Sequence, residues 1–489
     1  MTRNPNQDQD HASSPGRDAR GLLWIAIGAF GAGMSSLAVL QQRAFETGRF
    51  DVGNLTQAVW STAHGRVLEI TDLQGDQISR LGAHFDPLLV LLAPLWWLWP
   101  HPSLLLVVQA VSVALGAVPV FLLARKHLGT DWAGLGFALV YLLYPPTQWL
   151  VVDDFHPVAL ATPLLLGAIW FLDENRLLPF ALCAVAACLT KEQVGLVVAM
   201  LGLWHALAHG QRRVGVMISV AGVAVAIVAT ALIVPRYAPG GGSPFEGRYA
   251  AVGGSPAGIA KTAVVHPLRL LQAATEHRDL SYLADLLAPL GGLSLLAPLA
   301  AASALPELAL NLLSGTRTQT SIHFHYTAAA IPGLIAGAVL GAARVQRRWP
   351  GSAHTLARGL VLLVLAAGVV LGPLPVWRHV PFGSELATRD HIVTSHDRAT
   401  ARVLQAVPAG VAVSATNTLG AHLSERRRIF SFPVLREARW VAVDLKRPSY
   451  LDDARGERFA SAYATLRRDT RWEVVREEDG VVVLRRAAG

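Results

Sequence analysis

The chain has 489 residues, of which 52% are hydrophobic and 16% charged, with a mean hydropathy of +0.40 and a formal net charge of +8. A soluble domain carries about 25% charged residues, so a wholly soluble chain is excluded. The charge is concentrated at one end, because residues 380–489 hold 18 of the 42 Lys/Arg and 14 of the 34 Asp/Glu; this predicts an α-helical polytopic membrane protein with a small soluble C-terminal α/β domain.

In chain order, residues 1–20 are polar and predict a disordered cytoplasmic tail. Gly21 to Gln42 is longer than a signal-peptide core and reads as a retained first span. Further apolar segments predict spans near 103–125, 132–149, 157–173, 177–190, 193–208, 214–234, 281–302, 323–343 and 357–377. The 177–208 pair is too short for two full spans, which suggests half-helices meeting within the membrane. The short segment 306–315 either completes a hairpin or re-enters; if it crosses, the count is about eleven. The Pro-interrupted, Trp-rich stretch 84–102 suits a helix lying at the headgroup level. Cys183 and Cys188 share one apolar helix and do not fix a redox compartment.

Basic residues punctuate these segments: "ARK" at 124–126, "QRR" at 211–213 and "RVQRR" at 344–348. That is the positive-inside pattern, which speaks against nucleic-acid binding. It places the N-terminus in the cytoplasm and the segments 43–102, 151–157, 191–193 and 323–326 on the outer face. The transmembrane domain is then 21–378 and the extracytoplasmic α/β domain 379–489. Within the latter, 410–416, 428–433 and 439–445 predict strands, 452–468 an amphipathic helix, and 472–486 a hairpin turning at Asp479-Gly480.

Five polar clusters interrupt the apolar pattern. Asp51, in "GRFDVGNLTQAVW", follows the first span, where an aspartate is ordinarily a cap or a solvated loop residue. Arg80, His84 and Asp86 precede the interfacial segment; Pro87 makes Asp86 a natural N-cap, a role that does not call for His84. In "VVDDFHP", Asp153 and Asp154 repel each other and call for a cation; with His156 they form a candidate divalent-metal set, Mg or Mn. The alternative is an external loop ahead of a Pro-initiated helix. Lys191 and Glu192 break an apolar stretch, where ionisable groups are costly and tend to be functional. His323 and His325 bracket Phe324 and precede Tyr326; in a helix the two histidines point apart, so shared metal binding requires an extended start. The common side of the membrane, rather than any single cluster, argues for one cavity at the outer interface.

The stretches "FDVGNLTQAVW", "HFDPLLVLLAPLWWLWP", "VVDDFHP", "LTKEQVG", "HYTAAAIP" and "AHLSERRRIFSFP", in this order, resemble the DUF2079 family of bacterial membrane proteins. That family in turn is similar to GT-C glycosyltransferases, polytopic enzymes that use polyprenyl-phosphate-linked sugars on the outer face of the membrane. The resemblance implies a lipid-linked sugar donor and an envelope glycan, lipid or protein acceptor. It implies that Asp51 is the catalytic base. Arg80, His84 and Lys191 are implied donor-phosphate ligands, with Asp86, Glu192, His323, His325 and Tyr326 as further site candidates. Where GT-C enzymes commonly have Lys-Pro-Pro-Leu, this chain has "HFDPLL", with only Pro87 and Leu88 matching, and Asp51 stands alone with Glu46 five residues earlier. The rival readings are a transporter or lipid flippase and a non-catalytic envelope protein. Transporters commonly show inverted repeats and broken helices at the midplane, whereas no repeat is visible here and the clusters lie near one face.

Overall fold

A computed structural model describes residues 15–241, 246–384 and 391–487. The predicted tail splits: residues 1–14 lie outside the described residues, whereas Pro15 already opens the first helix. Among the described residues, four helices are long and apolar enough to cross a membrane, Gly16–Arg43, Ser103–Leu128, Arg212–Tyr237 and Ala353–Leu371. A fifth candidate is the pair Asp131–Leu143 and Pro145–Val152, bent by 48°. Tyr144 there is extended ahead of Pro145, as the pyrrolidine ring demands of its predecessor. Shorter apolar helices, Pro157–Asp173, Leu177–Cys188 and Val194–Ala208, complete the bundle. The last packs closely on Arg212–Ile227: a Cβ at Gly202 would stand 2.5 Å from the Gly215 carbonyl oxygen, so only glycine permits the backbones to touch there.

Several expected spans are reshaped. Residues 281–302 do not form one helix. His277–Leu287 stops at Gly291 and Gly292, both left-handed at φ +59° and +66°, and a staircase of short turns leads to Leu305–Leu312. The 323–343 helix starts only at Ile331, so His323–Tyr326 precede it in loop and 3-10 conformation. Pro87–Leu98 is broken and too short to span, and it exposes Leu91, Trp97 and Leu98.

The long segment after the first helix carries an element absent from the sequence reading, the antiparallel hairpin β1 (Glu69–Thr71) and β2 (Gln77–Ser79). The C-terminal unit is a five-stranded sheet of β3 (Val413–Ala415), β4 (Ile429–Ser431), β5 (Trp440–Asp444), β6 (Trp472–Glu478) and β7 (Val481–Arg486), in the order β4-β3-β5-β7-β6. β3 runs parallel to β4 and β5, whereas β7 is antiparallel to β5 and β6. Side-chain alternation divides the core. Val413, Ala415, Ala442 and Val483 pack with Val403, Leu419 and Phe45 on one face; Val441, Val443, Val482 and Leu484 pack with Leu466 on the other. The β6–β7 turn at Asp479-Gly480 has both residues at positive φ, as a two-residue hairpin requires.

The sheet unit is bolted to the segment after the first helix. Buried Arg49 donates to Ser431 Oγ at 2.6 Å and to the Thr71 and Ile429 carbonyls, both at 2.7 Å. Gln57 donates to the Arg426 and Arg427 carbonyls. Glu69 pairs with Arg427, Asp76 with Arg436, and Glu46 with Arg447. Gly53 permits the contact, since a Cβ there would lie 2.6 Å from Ser424 Oγ.

Candidate active site

Asp51 sits in a single π-helical turn, Arg49–Gly53, which runs directly into helix Asn54–Ala63. Such turns recur at functional sites because they redirect one side chain out of the helical register. Arg49 and Gly53 anchor the turn on either side, so the Asp51 carboxylate is held rather than loosely displayed.

The "DDFHP" turn follows helix Pro145–Val152 and is closed by one amide from the Ser103–Leu115 helix. Gln109 Nε2 donates to the carbonyls of Leu150, Val151 and Asp154, and its Oε1 accepts from the His156 N–H at 2.9 Å. Asp154 adopts φ +48°, which turns adjacent carboxylates in different directions. Asp153 Oδ2 accepts from the His325 backbone N–H at 2.6 Å and lies 3.1 Å from His325 Nδ1. The His156 and His325 rings stack at 3.5 Å. His156 Nδ1 lies 2.9 Å from the Asp153 carbonyl, and Nε2 lies 3.5 Å from Asp51 Oδ1. This links the third and fifth sequence clusters to the first.

Burial alone would depress His156, but its hydrogen bond to Asp51 and the charges of Asp153 and Asp154 outweigh burial and raise it above the ordinary 6.5. Burial and the neighbouring His156 hold His325 well below that value. The stacked rings therefore divide into one that favours its proton and one that is neutral. Burial also raises Asp153 to about 6, and raises Asp154 further with the help of Asp51.

A second group stands across the cavity. His84 Nδ1 meets Glu192 Oε1 at 3.0 Å, and the Phe85 N–H donates to Glu192 Oε2 at 3.0 Å. Burial lowers His84 to about 4, so the imidazole is neutral at pH 7 and serves as a hydrogen-bonding partner rather than a cation. Arg80 is committed to buried Asp86 at 2.9 Å. Lys191 is differently placed: among the described residues it forms no ion pair, and its Nζ lies 5.5 Å from the centre of the Tyr326 ring. Arg248 approaches the same ring at 5.9 Å and donates to the Tyr326 hydroxyl at 3.4 Å.

These groups surround a cavity of about 740 Å³, whose lining includes Asp51, Arg80, His84, Asp86, His156, Lys191, Arg248, His325 and Tyr326. Asp153 stands behind His325, and Glu192 behind His84. Asp154 faces elsewhere, into a smaller cavity against the sheet unit. His323 is not in either lining; its ring packs 4.7 Å from that of Trp149. Asp51 belongs to both cavities.

Donor atoms of Asp153, His156 and His325 lie within 4.8 Å of one another, a spacing that a single ion can bridge. The grouping replaces Asp154 of the sequence-derived set with His325, because the left-handed turn directs the Asp154 carboxylate away. Two imidazoles with one carboxylate suit Mn or Zn better than Mg, which prefers all-oxygen ligation.

Sequence reading missed Arg49, Gln109 and Arg248. Arg49 lies two residues from Asp51 and its flanking glycines mark a close approach; Gln109 is an isolated amide inside an apolar helix, a signal of buried hydrogen bonding. Arg248 follows a Gly-rich segment and carries no comparable mark.

The fold is similar to that of ArnT from Cupriavidus metallidurans, solved bound to undecaprenyl phosphate (TM-score 0.52, 14% identity, covering 95% of this chain and 98% of that one) and in the apo state (TM-score 0.54, 13% identity, 96% and 98%). At this identity the likeness concerns the fold alone. Residues 42–483 match the family described as "Predicted membrane protein (DUF2079)", and the chain belongs to that family. No curated protein matches it by sequence.

Proposed function

We propose that this protein is a membrane glycosyltransferase of the GT-C type, transferring a sugar from a polyprenyl-phosphate donor to an envelope acceptor on the outer face of the membrane. The observation that carries the reading is the position of Asp51, the residue shared by a cavity bearing Lys191 and Arg248 and a second cavity against the C-terminal domain. That is the placement a base needs between an anionic donor and an incoming hydroxyl. In the reaction the acceptor oxygen attacks the anomeric carbon and the carbon–oxygen bond to phosphate breaks. The acceptor proton passes to the Asp51 carboxylate, and the departing polyprenyl phosphate keeps the electron pair. Lys191 and Arg248 face the charge that develops on that phosphate.

His156 Nε2, 3.5 Å from Asp51 Oδ1, stands beside the carboxylate and helps to orient it toward the cavity. Arg80 and His84, expected to bind phosphate, are better cast as supports: one is paired with Asp86, and the other is neutral and orients Glu192. A divalent ion held by Asp153, His156 and His325 would supply positive charge beside Asp51. The orientation, with this face outward, rests on the basic loops at the opposite ends of the helices. The likeness to a fold solved with undecaprenyl phosphate supports the choice of donor lipid.

The test is turnover. The full chain in lipid nanodiscs is incubated with a panel of undecaprenyl-phosphoryl sugars and an envelope extract, and free undecaprenyl phosphate is measured. At least one donor should be consumed by the wild type, with at least a hundredfold loss in Asp51→Asn, in line with removal of a general base. An Asp51→Asn variant as fast as the wild type, or a wild type that consumes none of the donors, would overturn the proposal.

A further inference from the structure

The smaller cavity, of about 290 Å³, lies between Phe45–Asp51 and the sheet domain. Its lining is unlike that of the larger one. It holds the carboxylates of Glu46, Asp51, Asp154 and Asp444, the amide of Asn417, and the hydroxyls of Thr418, Ser449 and Tyr450. Its two basic side chains are already committed. Arg447 pairs with Glu46 and with Asp397 at 2.7 Å, and His396 is clasped between Asp444 at 2.8 Å and Asp479 at 2.9 Å. Asp154 is only partly committed: its carboxyl accepts from the Gly48 backbone N–H, but its Oδ1 is buried and has no hydrogen-bond partner among the described residues. A buried acceptor atom left unsatisfied is costly, so such an atom at a cavity wall calls for a donor from a ligand. Tyr450, 71% exposed, stands at the same cavity with its ring available as a flat apolar surface.

Taken with the glycosyltransferase reading, on which it rests, we infer that this cavity is the acceptor subsite and that it takes the hydroxyl-rich, non-anionic end of a glycan. Hydroxyl groups satisfy Asp154 and Asp51 as donors, the amide and hydroxyls fix the ring's orientation, and Tyr450 covers its apolar face. A phosphorylated or carboxylated acceptor would meet the Asp51 carboxylate and the unsatisfied acceptor oxygen of Asp154, while Arg447 and His396, the basic side chains described at this cavity, are already paired. Asp51 thus separates two sites of opposite preference, an anion on the Lys191 and Arg248 side and an uncharged or amino sugar on the other.

The test uses the full chain in nanodiscs on a printed array of neutral, amino-bearing and anionic oligosaccharides, with binding of undecaprenyl phosphate measured separately. Neutral or amino glycans should bind. Tyr450→Ala should weaken them at least tenfold, and Thr418→Phe, which fills the cavity, should abolish them. Both variants should bind undecaprenyl phosphate as the wild type does. A preference for anionic glycans, or glycan binding untouched by both variants, would overturn the inference. Retention of undecaprenyl phosphate with no glycan binding would overturn it and leave the donor-side reading standing; loss of both in the wild type would overturn the two together.

Discussion

Replacing Lys191 with alanine should weaken undecaprenyl phosphate binding by a predictable amount. The Lys191 ammonium lies in the larger cavity, 5.5 Å from the centre of the Tyr326 ring, and is not consumed by an ion pair among the described residues. Its charge is therefore available to a ligand, unlike that of Arg80, which neutralises Asp86 at 2.9 Å. A hydrogen bond involving a charged group contributes about 1.5–3 kcal/mol, and each 1.4 kcal/mol is about tenfold in affinity. Lys191→Ala should accordingly raise the Kd for undecaprenyl phosphate by about 10- to 150-fold, and Lys191→Arg, which keeps the charge, by much less. The control is Lys126→Ala. Lys126 pairs with Asp173 and Glu174 at the far end of the helix that contributes Gln109, about 25 Å along the axis at 1.5 Å per residue. The assay is binding of the lipid to protein in nanodiscs by native mass spectrometry or thermal shift. Equal Kd values for Lys191→Ala and wild type, or an equal loss in Lys126→Ala, would refute the reasoning.

Three further outcomes follow from the geometry. Arg49→Met leaves the Thr71 and Ile429 carbonyls without their donor, at about 1–3 kcal/mol each; limited proteolysis of the full chain should then release the sheet domain far faster than in wild type, and unchanged cleavage would remove Arg49 as the bolt. Burial opposes a charge on His396, but Asp444 and Asp479 outweigh it and raise its pKa above 6.5. The stabilisation from this shift is fully present below 6.5 and fades as pH rises through the raised value. The melting temperature of wild type should therefore fall across that window relative to His396→Asn, whereas parallel curves would contradict the assignment. Finally, Mn or Zn should raise the melting temperature over chelator-treated protein by binding at Asp153, His156 and His325, and His325→Ala should erase the difference; an equal rise in that variant would place the ion elsewhere.

The sequence made the sheet domain legible because its physics is local. The strands around Val413, Ile429 and Trp440 and the Asp479-Gly480 hairpin follow from β-branched runs and turn chemistry. The broken stretch at 281–304 was not legible, since composition counts apolar residues while the break depends on Gly291 and Gly292 reversing the chain together. The β1–β2 hairpin was hidden for another reason: two three-residue strands give too few alternations to register. In the site, the polar residues that interrupt apolar segments were visible singly, and Asp51, His84, His156, Lys191 and His325 do meet around one cavity. What sequence could not supply was pairing. The exchange of Asp154 for His325, the neutralising of Arg80 by Asp86 and the distance of His323 from the cavity each depend on contacts across many residues or on one backbone angle. Arg49 and Gln109 act through backbone carbonyls far away in the chain, which no spacing rule records.

The most direct measurement is a cryo-EM structure of the full chain in nanodiscs with undecaprenyl phosphate. The account predicts the phosphate in the larger cavity, within hydrogen-bonding reach of Lys191 or Arg248, with Asp51 on the wall that faces the sheet domain. A phosphate bound outside that cavity, or one bound there with Asp51 buried behind another side chain, would contradict it.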